Sequence, residues 1–328
     1  MCSIKQYDSE ELHTNSIVID TLAGTTFNFG NLKKAGLTAA NITVSAHNEG
    51  FLKTIENIKE YYSAMDIHDE IILVRNYEDI INAHEKNKVG LILGFQTATS
   101  IEDDLSNIKV FKNLGIRIVQ LTYMGKNSLG SGCYESNDDG LTYFGKQTIR
   151  ELNRIGLVVD ISHVGWETAR DAIKITKEPI ILSHTNPYNL CKNKRNVPDD
   201  IIKKVANTGG CIGINAHPAL CHINENKRPT YKDYIKIIDY VVDLVGVDHV
   251  SIGMDLFDGF QKWQHFHWNR RYDELYSQWD YTEGMKEETD IKKITEELYN
   301  SKKYSDKDIK KILGENILRI FKEIWIND

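Results

Sequence analysis

The sequence predicts a (β/α)8 barrel, and three observations carry that expectation. Eight strand-like apolar runs recur along the 328 residues, nearly all followed by a segment with helical periodicity. The runs are almost continuously apolar rather than alternating, as strands covered on both faces must be. No Pro/Gly/Ser-rich linker separates them, so residues 1–328 read as one domain. A doubly wound open sheet is the competing arrangement, but no glycine-rich phosphate loop follows the first run.

In chain order the runs are SIVIDTL (16–22), ANITVSA (40–46), VGLILGFQ (89–96) and IRIVQLTY (116–123), then LVVDISH (157–163), PIILSH (179–184), GCIGINAH (210–217) and HVSIGMDL (249–256). Between them FLKTIENIKEYYSAM, LTYFGKQTIRELNRIG, PDDIIKKVANTG and YKDYIKIIDYVVDLVG carry apolar residues three and four apart. Several of these stop at glycine, a common helix terminator. IILVR (71–75) is an ambiguous ninth run, read as a short inserted element. From 284 onward, KEETDIKKITEELYNS and SDKDIKKILGENILRIFKEIW read as helices packed outside the barrel.

A chain with 41% hydrophobic residues can bury a full core at this length. Its net charge of -7, with no basic tract, argues against a nucleic-acid or anionic-membrane partner. The N-terminal stretch MCSIKQYDSEELHTNS lacks the apolar core of a secretory signal, and no run reaches the length of a membrane span. Cys2, Cys133, Cys191, Cys211 and Cys221 are odd in number and lack CxxC spacing, as expected for reduced thiols in a cytoplasmic protein.

Barrel chemistry sits where strands end. LVVDISH closes on His163 and PIILSH on His184, with GWETARDAIKIT between them at βαβ spacing. Two imidazoles on neighbouring parallel strands are the usual start of a metal site, and a polar residue capping each strand is the plainer alternative. The other run ends supply His47, Gln96, Tyr123, Asn215, His217 and Asp255. Polar residues at nearly every exit are what an active-site mouth requires.

These residues carry a resemblance. LTYFGKQTIRELNRIGLVVDISHVGWETARDAI, PIILSHTNPYNLCKNKRNVPDDIIKKVANTGGCIGIN and VGVDHVSIGMDLFDG, with the tail ILGENILRIF, resemble the membrane (renal-type) dipeptidase family of metallopeptidases, peptidase family M19. The similarity covers about 85–325 and implies a (β/α)8 barrel of the metallo-dependent hydrolase type. It also implies two metals, one held by a His-x-Asp after the first strand and one by two His on strands five and six, with a bridging Glu on strand three. The second pair is intact here as His163 and His184. The first is absent, because Asp20-Thr21-Leu22-Ala23-Gly24 puts Leu22 and Gly24 at the ligand positions. Gln96 replaces the bridging Glu, and Tyr123 replaces a substrate-facing His.

A neutral Gln cannot offset the repulsion of two dications, so the expectation is one divalent metal, zinc by preference, or none. His163, His184 and Gln96 are its candidate ligands. Asp255 matches the family's catalytic Asp, with a purely structural hydrogen-bonding role as the alternative. Arg195 in NKRNVPDD matches the residue for the substrate's terminal carboxylate, and Tyr123 and Asn186 are assigned to the substrate beside it. Asn196 and Asp199 are expected to shape that loop and start the next helix.

His47 and Glu49 either replace the missing ligands or belong to a surface loop. Cys133 is either a thiol nucleophile near His163 or inert. FQKWQHFHWNRRYDELYSQWDY (260–281) is a lid or substrate wall, or else simple packing or a dimer contact. The expected protein is a cytoplasmic hydrolase, homodimeric, acting on an amide or C–N bond of a small carboxylate-bearing substrate and weak on ordinary dipeptides. A metal-free lyase or isomerase acting on a modified amino acid, or a non-catalytic ligand-binding relative, is the alternative.

Overall fold

The structure, a computed structural model, describes residues 8–47, 49–224, 226–256, 277 and 279–325. All eight runs become parallel strands, and the ninth is present as well. They are β1 (Ile19–Asp20), β2 (Ala39–Ser45), β3 (Ile71–Leu73), β4 (Val89–Phe95), β5 (Ile116–Gln120), β6 (Val158–Asp160), β7 (Ile180–Thr185), β8 (Ile212–Ile214) and β9 (Val250–Ile252). Pairing runs β2-β1-β9-β8-β7-β6-β5-β4, and a β2–β4 ladder from Ala39↔Gly90 to Ser45↔Phe95 closes the ring. β3 stays outside the eight. It pairs with 89–91 of β4, a stretch left free because β5 meets β4 only from Leu93 onward.

The connecting helices are α1 (Ser9–Thr14), α2 (Phe29–Lys34), α3 (Phe51–Met65), α4 (Tyr77–Glu85), α5 (Ser106–Asn113) and α6 (Tyr143–Ile155). They continue as α7 (Trp166–Ile175), α8 (Asp199–Asn207), α9 (Tyr231–Val245), α10 (Ile291–Ser301), α11 (Asp306–Lys310) and α12 (Asn316–Ile324). Local chemistry sets their ends. Asn76 and Asp79 form a reciprocal capping box that starts α4. The Thr142 hydroxyl accepts Gly145 N–H at the start of α6, and Gly156 stops that helix at φ 73°. Asp199 opens α8 as expected, with Pro198 at its cap and two carboxylates in its first turn.

One core lies between the sheet and its surrounding helices. A second gathers Ile19, Ala39, Val158 and Ile181, at the starts of their strands, against Ile317, Ile320 and Phe321 of α12. The last helix therefore stoppers the end of the barrel where strands begin, a more specific place than the outside packing the sequence suggested. Gly314 lets the chain approach β1 here, since a Cβ would strike the Ile17 carbonyl. Among the described residues, no helix is long and apolar enough to cross a membrane.

The barrel interior near the opposite end is tight. The Thr21 hydroxyl lies between the carbonyls of Ser183 and Ile252, joining β1, β7 and β9. A Cβ at Gly253 would collide with the Ser183 carbonyl and crowd Thr21 Oγ1. Gly253→Ala should therefore lower unfolding free energy by about 2–3 kcal/mol in chemical denaturation, because buried backbone cannot move aside cheaply. An unchanged midpoint would mean that the strand exits give way more easily than this packing implies.

Candidate active site

The strand exits meet at the mouth opposite α12. His163 lies three residues beyond β6, and His184 lies within β7. Their Nε2 atoms are 2.9 Å apart, so the expected convergence of the two rings is present. His163 (φ 60°) and Asp255 (φ 57°) are both held in the left-handed region, as is His47 (φ 55°) beyond β2. Non-glycine residues adopt that conformation at a cost of order 1 kcal/mol or more, and such strain clusters at functional sites.

A buried hydroxyl relay fixes the His184 ring. Asp160 Oδ1 accepts Ser162 N–H and Ser183 N–H at 2.8 and 3.0 Å. Ser183 donates its hydroxyl to Asp160 Oδ2, which leaves its oxygen to accept from His184 Nδ1 at 2.6 Å. With Nδ1 protonated, His184 Nε2 presents a lone pair, and the shared hydrogen must come from His163 Nε2. His163 Nδ1 is then a buried acceptor without a hydrogen-bond partner among the described residues. Both imidazoles are held neutral, with pKa values well below the usual range; burial dominates, and the Arg195 cation adds to it. The relay was not anticipated from sequence, although its residues stand inside the DISH and LSH motifs.

Asp255 is partly buried three residues beyond β9. Asn215 Nδ2 donates to its Oδ2 at 3.2 Å. Burial pushes the Asp255 carboxyl up to about 6, partly offset by Arg195 and the Asn215 hydrogen bond. Arg195 is 2% exposed. Its Nη2 donates to the His184 carbonyl at 2.6 Å and Nη1 approaches Thr185 Oγ1 at 3.4 Å, while Nε has no hydrogen-bond partner among the described residues. Among the described residues, no carboxylate forms a salt bridge with Arg195. A buried guanidinium satisfied only by neutral oxygens is a costly arrangement that an incoming anion relieves.

The Tyr123 ring stacks on His163 at 4.4 Å, and His47 meets Tyr123 edge-on at 4.7 Å, so both line the mouth. Gln96, just beyond β4, donates its amide to Thr43 Oγ1 at 2.9 Å. Leu22 is buried beside Asp255, whose N–H donates to the Leu22 carbonyl at 2.9 Å. Asp20 holds this strand exit. Its Oδ1 accepts the amides of Leu22 and Met254, and burial raises its pKa well above normal.

Three candidates take structural positions. Glu49 Oε2 accepts Ala46 N–H and Asn57 Nδ2, which clasps the β2–α3 loop. Asn186 donates to the carbonyls of Asn215 and Leu220 and accepts Asn215 N–H, leaving it no free donor for a ligand. Asn196 donates to Cys191 and Leu220 carbonyls, so it shapes its loop as expected. Cys133 is buried, and its N–H donates to the His163 carbonyl at 2.7 Å. Of the aromatic segment 260–281, residues 260–276 and 278 lie outside the described residues.

Two neutral imidazoles with converging Nε2 atoms, one already oriented through its other nitrogen, fit one divalent ion once the His163 proton moves from Nε2 to Nδ1. Leu22 and Gly24 offer no donor for another. Among the described residues, no group of three or more His, Cys, Asp and Glu side chains forms a metal-binding cluster.

Comparison with known proteins identifies the relatives of this chain. A family model for membrane dipeptidase (peptidase family M19) matches residues 11–326. The chain is similar to a crystal structure of an amidohydrolase from Pseudomonas aeruginosa at 34% identity and TM-score 0.88, covering 97% of this chain and 99% of that one. It is also similar to the uncharacterized dipeptidase C965.12 of Schizosaccharomyces pombe, 32% identical over 187 residues. That match covers 56% of this chain and 45% of the relative, less than half of the latter's length. A metallo peptidase from Rhodobacter sphaeroides, liganded with a phosphinate mimic of the dipeptide L-Ala-D-Ala, shares the fold at TM-score 0.78 and 16% identity, covering 95% of this chain and 100% of that one.

Proposed function

Since the chain belongs to the membrane dipeptidase family, peptidase family M19, we propose that it hydrolyses an amide or C–N bond in a small substrate bearing a carboxylate. The observation that carries this reading is the buried Arg195 guanidinium, which has no acidic salt-bridge partner among the described residues and lies beside the His163–His184 pair. It supplies a ready anchor for the substrate carboxylate. The dipeptide mimic bound by the Rhodobacter sphaeroides enzyme is a ligand of this general kind.

Asp255 accepts a proton from the attacking water and returns it to the leaving nitrogen. A carboxyl poised at about 6 suits that exchange near neutrality. Asn215 orients the carboxylate through its hydrogen bond to Oδ2. Tyr123, packed on His163, forms one wall of the site. One divalent ion, zinc by its preference for imidazole nitrogen, would be held by His163 and His184 and would supply Lewis-acid activation. The Asp160–Ser183 relay fixes His184 for that role.

The test is a panel of dipeptides and N-acyl amino acids offered to protein purified without chelator. Turnover should appear only for members with a free carboxylate, and removal of the carboxylate by amidation should abolish it. Equal rates on amidated substrates would sink the reading. Elemental analysis should give no more than one zinc per chain, and two tightly held ions would show that donors other than Leu22 and Gly24 complete a second site. Ordinary L-dipeptides should turn over at least about a hundredfold more slowly than in two-metal enzymes, since the second ion's stabilisation of several kcal/mol is missing. Matching rates would show that this chain compensates for the loss.

A further inference from the structure

A cavity of about 290 Å³ opens beside the mouth, between the loops that follow β5, β6 and β7. Its walls include the Trp166 and Tyr188 rings together with Glu135, Asp138, Glu167 and Lys194. We propose that this cavity is a specificity subsite for a compact cationic group of the substrate, an ammonium or alkylated amine.

The cavity is joined to the reacting centre by short covalent and hydrogen-bonded steps. Cys133 in its wall donates its N–H to the His163 carbonyl at 2.7 Å, and Lys194 immediately precedes Arg195. The cavity thus lies against the backbone that carries His163 and Arg195. The two aromatic walls are held rigidly. Trp166 Nε1 donates to the Asn196 carbonyl at 3.0 Å, and the indole meets the Tyr188 ring at 4.9 Å and 74°. Aromatic faces attract cations through their quadrupole, and Trp does so most strongly. The Tyr188 ring already receives the Lys192 ammonium at 4.6 Å.

The charges around the cavity point the same way. Three carboxylates share the lining with the exposed Lys194, and the Lys192 ammonium lies over the Tyr188 wall, so what decides is which carboxylate is left without a cation. Asp138 is committed to the first turn of α7, where it accepts the amides of Glu167 and Thr168. Glu167 is partly engaged by Arg170 at 2.5 Å. Among the described residues, Glu135 accepts only an uncharged backbone amide, Lys126 N–H at 2.7 Å, through Oε1, so its negative charge has the least compensation of the three. An apolar, aromatic space with one poorly compensated carboxylate favours a cation over a neutral group of equal size.

This proposal rests on the reading of Arg195 as carboxylate anchor only for its orientation, and its test is independent of turnover. Calorimetric titration of the intact chain with n-butylammonium chloride, n-butanol and sodium butyrate compares three probes of similar size. The ammonium should bind about tenfold more tightly than the alcohol, and Glu135→Gln or Trp166→Leu should each remove most of that preference. Circular dichroism checks that both variants fold, and the Glu135 substitution alone suffices if Trp166→Leu does not. Equal binding of ammonium and alcohol, or a preference untouched by Glu135→Gln, would overturn the proposal; butyrate is the control that reports on the Arg195 anchor instead of this cavity. Cation binding without any carboxylate dependence of hydrolysis would leave the subsite standing while removing the Arg195 reading.

Discussion

Asp255→Asn should stop turnover and, at neutral pH, make the protein more stable. The folded carboxyl is pushed up to about 6 from an ordinary 3.8, chiefly by burial. Between those two values the folded state keeps a proton that the unfolded chain has already released. Stability therefore falls as pH rises through this window, and the whole penalty is present above about 6. A shift of this size corresponds to about 3 kcal/mol, reduced to about 2 kcal/mol by the partial exposure of the carboxylate. Asn removes the charge, keeps the shape and can still accept from Asn215. At pH 7.5 the variant should melt several degrees higher, and the difference should vanish near pH 4. Loss of the proton acceptor should lower kcat by about 10²–10⁴. For the unmodified enzyme, kcat/KM should fall as pH drops through about 6. A variant less stable at pH 7.5 would show that Arg195 compensates the ionised carboxylate fully.

That trade explains which parts of the molecule could be read in advance. Strands buried on both faces leave continuous apolar runs, so all eight barrel strands were legible. β3 was ambiguous because two of its three residues are half-buried, so its run lacks the fully covered pattern of the eight. The apolar stripe of α12 showed that one face is buried, but periodicity cannot say which surface covers it. At the mouth, strand spacing was enough to bring His163 and His184 together. Loop geometry was not legible, because hydrogen bonds between distant residues decide it. Glu49 turns back to Ala46 and Asn57, and Asn186 spends its amide on backbone across the β7–β8 gap. The Asp160–Ser183–His184 relay depends on the register of β6 against β7, which pairs Asp160 with Ile181. The left-handed turns at His47, His163 and Asp255 also have no glycine to announce them.

Arg195→Ala should raise KM for the best carboxylate substrate by roughly 30- to 1000-fold, since truncating one side of a buried charge pair costs about 2–4 kcal/mol. The effect should fall on KM more than on kcat, because the carboxylate is bound in ground and transition states alike. The side chain also fastens the loop after β7, through the His184 carbonyl and Thr185 Oγ1. Loss of that support, not of the charge, is therefore the competing explanation. Two measurements separate them. Arg195→Lys retains the cation without the planar fork and should recover only part of the affinity. Added ethylguanidinium should lower KM of the Ala variant toward that of the original enzyme by refilling the vacated space with charge. Rescue by guanidinium with little recovery by Lys identifies bidentate capture of a carboxylate. A KM unchanged in the Ala variant would mean that this buried cation serves only the fold, and that the substrate's charge is met elsewhere at the mouth.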